Sequence, residues 1–208
     1  MNMSDIDRRD FVKQTTVAGL GILAAPIIGR GQSPNETVRI AVCGVNGRGI
    51  VHAQNFSKIA NSEVAYICDV DANVIKKGLD GTKGQARTPR TVSDFRRVLD
   101  DKSVDALAIA TPDHWHTPMT VLALKAGKHV YLEKPCGHDP REDELLMEAA
   151  AKYSNKVQLG TQRRSGPRFF EAIQDLKDGK IGTPYLARAW YTNTRRGIGH
   201  GKVAPVPA

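Results

Sequence analysis

The chain has 208 residues, 40% of them hydrophobic and 25% charged, and a net charge of +8 at pH 7. That length and balance exclude a disordered or fibrous chain and allow one full core with a second domain begun. The basic residues fall in scattered pairs, Arg8/Arg9, Arg96/Arg97, Arg163/Arg164 and Arg195/Arg196, with no long block. This is the pattern of a solvated surface, so no nucleic-acid partner is expected.

Residues 1–35 read as an export signal and linker. "DRRDFVKQTTVAGLGILAAPIIG" has a charged start and an apolar run from Thr15 to Ile28, too short and glycine-rich to span a bilayer. It resembles a twin-arginine signal through Arg8, Arg9, Phe11 and Lys13, and departs from that pattern at Asp7. The expected location is periplasmic or otherwise exported, without stable membrane insertion. Cys43, Cys68 and Cys136 form no C-x-x-C pair, and no disulfide framework is read from them.

From Thr37 onward, short apolar runs alternate with helical stretches. "TVRIAVC" reads as a strand, "IVHAQNFSKI" as a helix and "EVAYIC" as a strand. "SDFRRVLDD" reads as a helix capped by Ser93, followed by the strand "VDALAIAT", the helix "TPMTVLALKAG" and the strand "HVYL". Such alternation predicts βαβ units, and hence an α/β class with a doubly wound parallel sheet of Rossmann type over 36–164.

The turn after the first strand, "GVNGRG", carries chemistry. Gly44 stands at the tight turn and Gly49 where the helix packs on the strand, with Asn46, Gly47 and Arg48 between them. Backbone N–H groups and the helix N-terminus there face a pyrophosphate. Asn46 replaces the middle glycine of G-x-G-x-x-G and tolerates left-handed backbone angles. Asp69, twenty residues past Gly49, stands where a carboxylate accepts both ribose hydroxyls and repels a 2′-phosphate, which favours NAD over NADP. Asp71 is the expected cap of the next helix.

Ligands of open α/β sheets bind beyond the carboxyl ends of the strands. "ATPDHWHTP" ends one strand and "YLEKP" the next, so Lys134 is expected on the cofactor rim, assisting proton removal from an alcohol, with Glu133 holding it. His-x-His without a cluster of further ligands is a poor metal signal, and no metal site is expected.

"GVNGRG", "ATPDHWHTP", "KAGKHVYLEKP" and "LGTQRRSGP", in that order, make the chain resemble the Gfo/Idh/MocA family of oxidoreductases over Thr37 to Ala208. The resemblance implies a dinucleotide domain followed by an α+β domain, and a role for Lys134 in positioning or proton transfer. It implies cofactor contacts at Thr111, Pro112, His114, His116 and Glu133, and a substrate entrance at Gln162 and Arg163, which follow the strand "KVQLGT". It also implies a sugar or polyol substrate and, at full length, a homo-oligomer. "RFFEAIQDLKDGKIG" reads as an amphipathic helix and "PYLARAWYTNT" as the first strand of the second domain, over 165–208, which is expected to be incomplete. Two alternatives accompany the oxidoreductase reading. One is a truncated dinucleotide-binding module without turnover; the other is an NAD-using glycosidase on the same fold, against which the E-K-P lysine counts.

Overall fold

The computed structural model describes residues 37–162, 164–192 and 194. The export segment therefore lies outside the described residues. In chain order the elements are β1 (Val38–Cys43), α1 (Arg48–Phe56), β2 (Ser62–Cys68), α2 (Ala72–Gly81), β3 (Arg90–Val92) and α3 (Arg96–Asp100). They continue with β4 (Ala106–Ile109), α4 (His116–Lys125), β5 (His129–Glu133), α5 (Pro140–Lys152), β6 (Val157–Gly160) and α6 (Pro167–Lys177).

The six strands form one all-parallel sheet in the order β3-β2-β1-β4-β5-β6. The period of two along the strands, broken in β2 by a register shift against β1 between Val64 and Tyr66, divides their side chains between two cores. Ile40 and Val42 of β1 join Val64 and Ile67 under α1 and α2, which contribute Ala53 and Val74. Ala41 and Cys43 face the other way, with Leu107, Ile109 and Leu132, under Val98 of α3, Met119 of α4 and Leu146 of α5. Burial of each such side chain is worth about 1.5–3 kcal/mol, so the two faces hold the helices on opposite sides of the sheet.

Side-chain caps fix the starts of two helices. Asp71 caps α2 by accepting from Asn73 N–H at 2.9 Å, as expected. Asp139 caps α5 by accepting from Glu142 N–H at 2.9 Å, with Pro140 in the first turn. That helix escaped the sequence reading although its D-P-x-E start was legible. Ser93 does not cap α3. The helix begins later than expected, with Phe95 at the N-cap position and no side-chain cap, while Asp94 Oδ1 accepts from Arg96 N–H at 3.0 Å in the turn before it.

At the far end, α6 forms as an amphipathic helix, but none of its residues is buried, and Phe169, Phe170 and Ile173 are exposed. The strand expected over "PYLARAWYTNT" is absent among the described residues, which carry no ladder there. A strand needs a neighbour to receive its N–H and C=O groups, and no described strand lies beside it. No helix among the described residues is long and apolar enough to cross a membrane.

Candidate active site

The strand order reverses between β1 and β4, and there the two loops at the carboxyl ends part. Gly44 N–H donates to Cys68 C=O and Ala110 N–H to Cys43 C=O, both at 2.8 Å, so the loops after β1, β2 and β4 leave from one level. Gly44 has φ of 84°, and a Cβ there would lie 2.7 Å from the carbonyl oxygen of Ala110. Gly49 is packed so tightly that a Cβ would run into the carbonyl oxygen of Gly44. Both positions exclude a side chain, which is the cradle a dinucleotide's phosphates require.

Asn46, Gly47 and Arg48 are exposed on this turn. Asn46 is not left-handed: among the described non-glycine residues only Asn61 has positive φ. Its side chain instead accepts a hydrogen bond from Lys77 Nζ at 3.0 Å. The asparagine therefore anchors a cation beside the turn rather than relieving its backbone.

Beside the turn is a cavity of about 400 Å³ lined by Gly44, Asp69, Phe95, Thr111, Pro112 and Trp115, among others. Asp69 is held at its edge by two N–H donors, Val45 to Oδ2 at 2.7 Å and Asp71 to Oδ1 at 3.0 Å. Remaining lone pairs on both oxygens stay available to hydroxyl groups. Phe95 and Trp115 meet edge to face at 6.4 Å and form a wall that sequence reasoning missed. Trp115 stood in the quoted "ATPDHWHTP", but Phe95 enters only because the three-residue strand β3, too short to see in the sequence, delivers it.

Glu133 ends β5 with its side chain buried. It does not hold the Lys134 ammonium. Its Oε1 accepts from Arg48 Nε at 3.0 Å, and its Oε2 lies 3.3 Å from the backbone N–H of Lys134. His52 Nε2, also buried, lies 2.9 Å from the same Oε1 but off the line of a hydrogen bond. Burial works to raise the Glu133 carboxyl, but the hydrogen bond from Arg48 and the charges of His52 and Arg48 outweigh it and leave the group below its usual range. Burial pushes the His52 imidazole down, against the pull of Glu133.

Lys134 itself is exposed. His114 is exposed on the neighbouring loop, where Asp113 lies 3.8 Å from its Nδ1 and 3.6 Å from that of His138. His116 is buried, with both ring nitrogens facing backbone carbonyls. Nδ1 lies 2.6 Å from Pro135 C=O and Nε2 3.0 Å from Thr111 C=O, so the ring staples the loop after β4 to the loop after β5. Gln162 is exposed in the turn after β6, and Arg163 lies outside the described residues. The structure thus joins Gly44, Asp69, Thr111 and Pro112 in one cavity, with the exposed glycine-rich turn beside it. His114, Lys134 and Gln162 stand outside that cavity's lining. Among the described residues no group of three or more His, Cys, Asp or Glu could hold a metal ion.

Comparisons with known proteins agree with this geometry. The model of an oxidoreductase family with an NAD-binding Rossmann fold, Gfo/Idh/MocA, matches residues 38–161. An uncharacterized oxidoreductase of Bacillus subtilis, YrbE, is 32% identical over 71% of this chain and 42% of its own length. A glycosyl hydrolase family 109 protein of Solibacter usitatus is 35% identical over 76% of this chain and 39% of its own. The crystal structure of scyllo-inositol dehydrogenase from Lactobacillus casei, with bound NAD(H) and scyllo-inositol, superposes with a TM-score of 0.62 at 31% identity. It covers 70% of this chain and 42% of that one. The chain spans about two-fifths of the length of these relatives. With its family model over 38–161, its parallel sheet and its glycine cradle, the chain belongs to the Gfo/Idh/MocA family of NAD-binding oxidoreductases.

Proposed function

We propose that this protein binds NAD in the cavity between β1, β2 and β4. We further propose that, in a chain of its relatives' length, it moves hydride between the nicotinamide and a hydroxyl-bearing carbon of a sugar or cyclitol, outside the cytoplasm. The single observation that carries the reading is the 400 Å³ cavity with a two-donor-anchored Asp69 at its edge, beside a turn from which Gly44 and Gly49 exclude side chains.

Each residue then has a task. Gly44 and Gly49 keep the backbone close to the phosphates, and the N-terminus of α1 faces their charge. Arg48 adds a guanidinium at that point, fixed through its Nε so that both Nη groups remain for an anion. Asp69 accepts the ribose hydroxyls. The bound nicotinamide supplies hydride chemistry. Lys134, following β5 on the same rim, receives or returns the hydroxyl proton, and Gln162 and Arg163 stand toward the substrate entrance. Polyol substrates are supported by the inositol dehydrogenases among the structural relatives.

The relative named as a family 109 glycosyl hydrolase favours a second reading, transient oxidation of a sugar during glycoside cleavage. One experiment tests both. NAD titrated into the chain is expected to bind saturably. An extended chain is expected to reduce NAD with scyllo- or myo-inositol, and Lys134→Ala to lower kcat about a hundredfold or more while NAD still binds. Unchanged turnover removes the role of Lys134, and cleavage of a glycoside without net NAD reduction selects the second reading.

A further inference from the structure

The sequence places no arginine directly after Asp69, yet the fold brings one into the same cavity from the start of α3. The charged side chains that line the cavity are Asp69, Asp94 and Arg96. A guanidinium at the adenosine end of a dinucleotide site is the group that a 2′-phosphate seeks, because its planar fork matches phosphate oxygens. Here one edge of the fork is occupied. Arg96 Nε lies 2.9 and 3.0 Å from the two carboxylate oxygens of Asp94, and its Nη2 lies 2.9 Å from Oδ2. The same carboxylate accepts the N–H of Arg96 at the start of α3, so its position is fixed by backbone as well as by side chain.

We propose that Asp94 is a specificity-determining residue for the cofactor, excluding NADP by sequestering Arg96. The proposal rests on the dinucleotide reading and adds a discriminator that the ribose carboxylate alone does not supply. A ribose with two free hydroxyls needs the acceptors of Asp69 and no cation. A 2′-phosphate meets a guanidinium whose Nε–Nη2 edge is already taken by Asp94. Release of that guanidinium reverses the balance.

The test is isothermal titration of the chain with NAD and with NADP, in wild type, Asp94→Asn and Asp94→Asn combined with Arg96→Ala. Asparagine retains an oxygen for the N–H at the helix start, so far-UV circular dichroism is expected to match wild type. The expected result is an NADP-to-NAD affinity ratio raised about tenfold by Asp94→Asn and returned toward wild type by the second substitution. NAD binding with an unchanged ratio in Asp94→Asn overturns this inference and leaves the cofactor reading standing. A gain that persists without Arg96 also overturns it, since charge removal alone then accounts for the effect. Failure of the wild type to bind either dinucleotide sinks the cofactor reading and this inference together.

Discussion

Arg48 Nε donates to Glu133 Oε1 at 3.0 Å, joining the glycine-rich turn to the end of β5 across 85 residues of sequence. The bond links the residue proposed to face the phosphates to the one directly before Lys134. The side chain of Glu133 is 4% exposed and that of Arg48 42%, so only one end of the pair is desolvated. Arg48→Met removes the cation, leaving a buried carboxylate with His52 and the Lys134 backbone N–H. A loss of about 1–2 kcal/mol in unfolding free energy is expected at neutral pH, discounted for the exposed partner. Chemical denaturation checks it, and a variant as stable as wild type would mean that the bond contributes nothing to the fold.

The acid side of the stability curve should report His52. Its folded-state value is depressed below the usual 6.5, chiefly by burial, so the unfolded chain binds a proton that the folded one refuses. Stability from this group is complete above 6.5 and declines as pH falls below it. Glu133, depressed below its usual 4.5, acts in the same direction at lower pH. His52→Gln is expected to flatten the part of the curve just below 6.5, as seen by urea denaturation at several pH values. An unaltered slope would show that another group carries it.

Gly49 should tolerate no side chain. A methyl group there meets a backbone carbonyl rather than the end of a flexible side chain, so relief requires moving the turn or the helix. Gly49→Ala is expected to cost about 3 kcal/mol or more and to abolish NAD binding. Thermal unfolding and titration with NAD measure the two effects; wild-type values for both would refute the close-packed turn.

Lys128 is buried, and its Nζ donates to the carbonyl oxygens of Asp101 and Val104, each at 2.8 Å. Lys128→Met keeps much of the volume but leaves both acceptors without this donor. The expected cost is about 2–3 kcal/mol in unfolding free energy, with cofactor affinity little changed, because the contact lies away from the cavity. A neutral substitution would mean that water replaces the ammonium.

Export is tested apart from the fold. Residues 1–35 fused to a folded reporter are expected to direct it across the inner membrane, and Arg8→Lys with Arg9→Lys to abolish the transfer. Transfer insensitive to that double replacement would assign the segment to another route.

Local periodicity and residues with special backbone freedom were enough to specify the α/β class, five of the six helices and five of the six strands among the described residues, and the glycine cradle. Asp69 and Asp71 were separable in advance for the same reason, one ending a strand and the other beginning a helix. The folded arrangement was needed to show that Glu133 serves Arg48 rather than the Lys134 ammonium, that His116 is a staple, and that Phe95, Trp115 and Arg96 line one cavity with Asp69. These contacts join residues on different loops, and nothing in local spacing records which loops the crossing of a parallel sheet brings side by side.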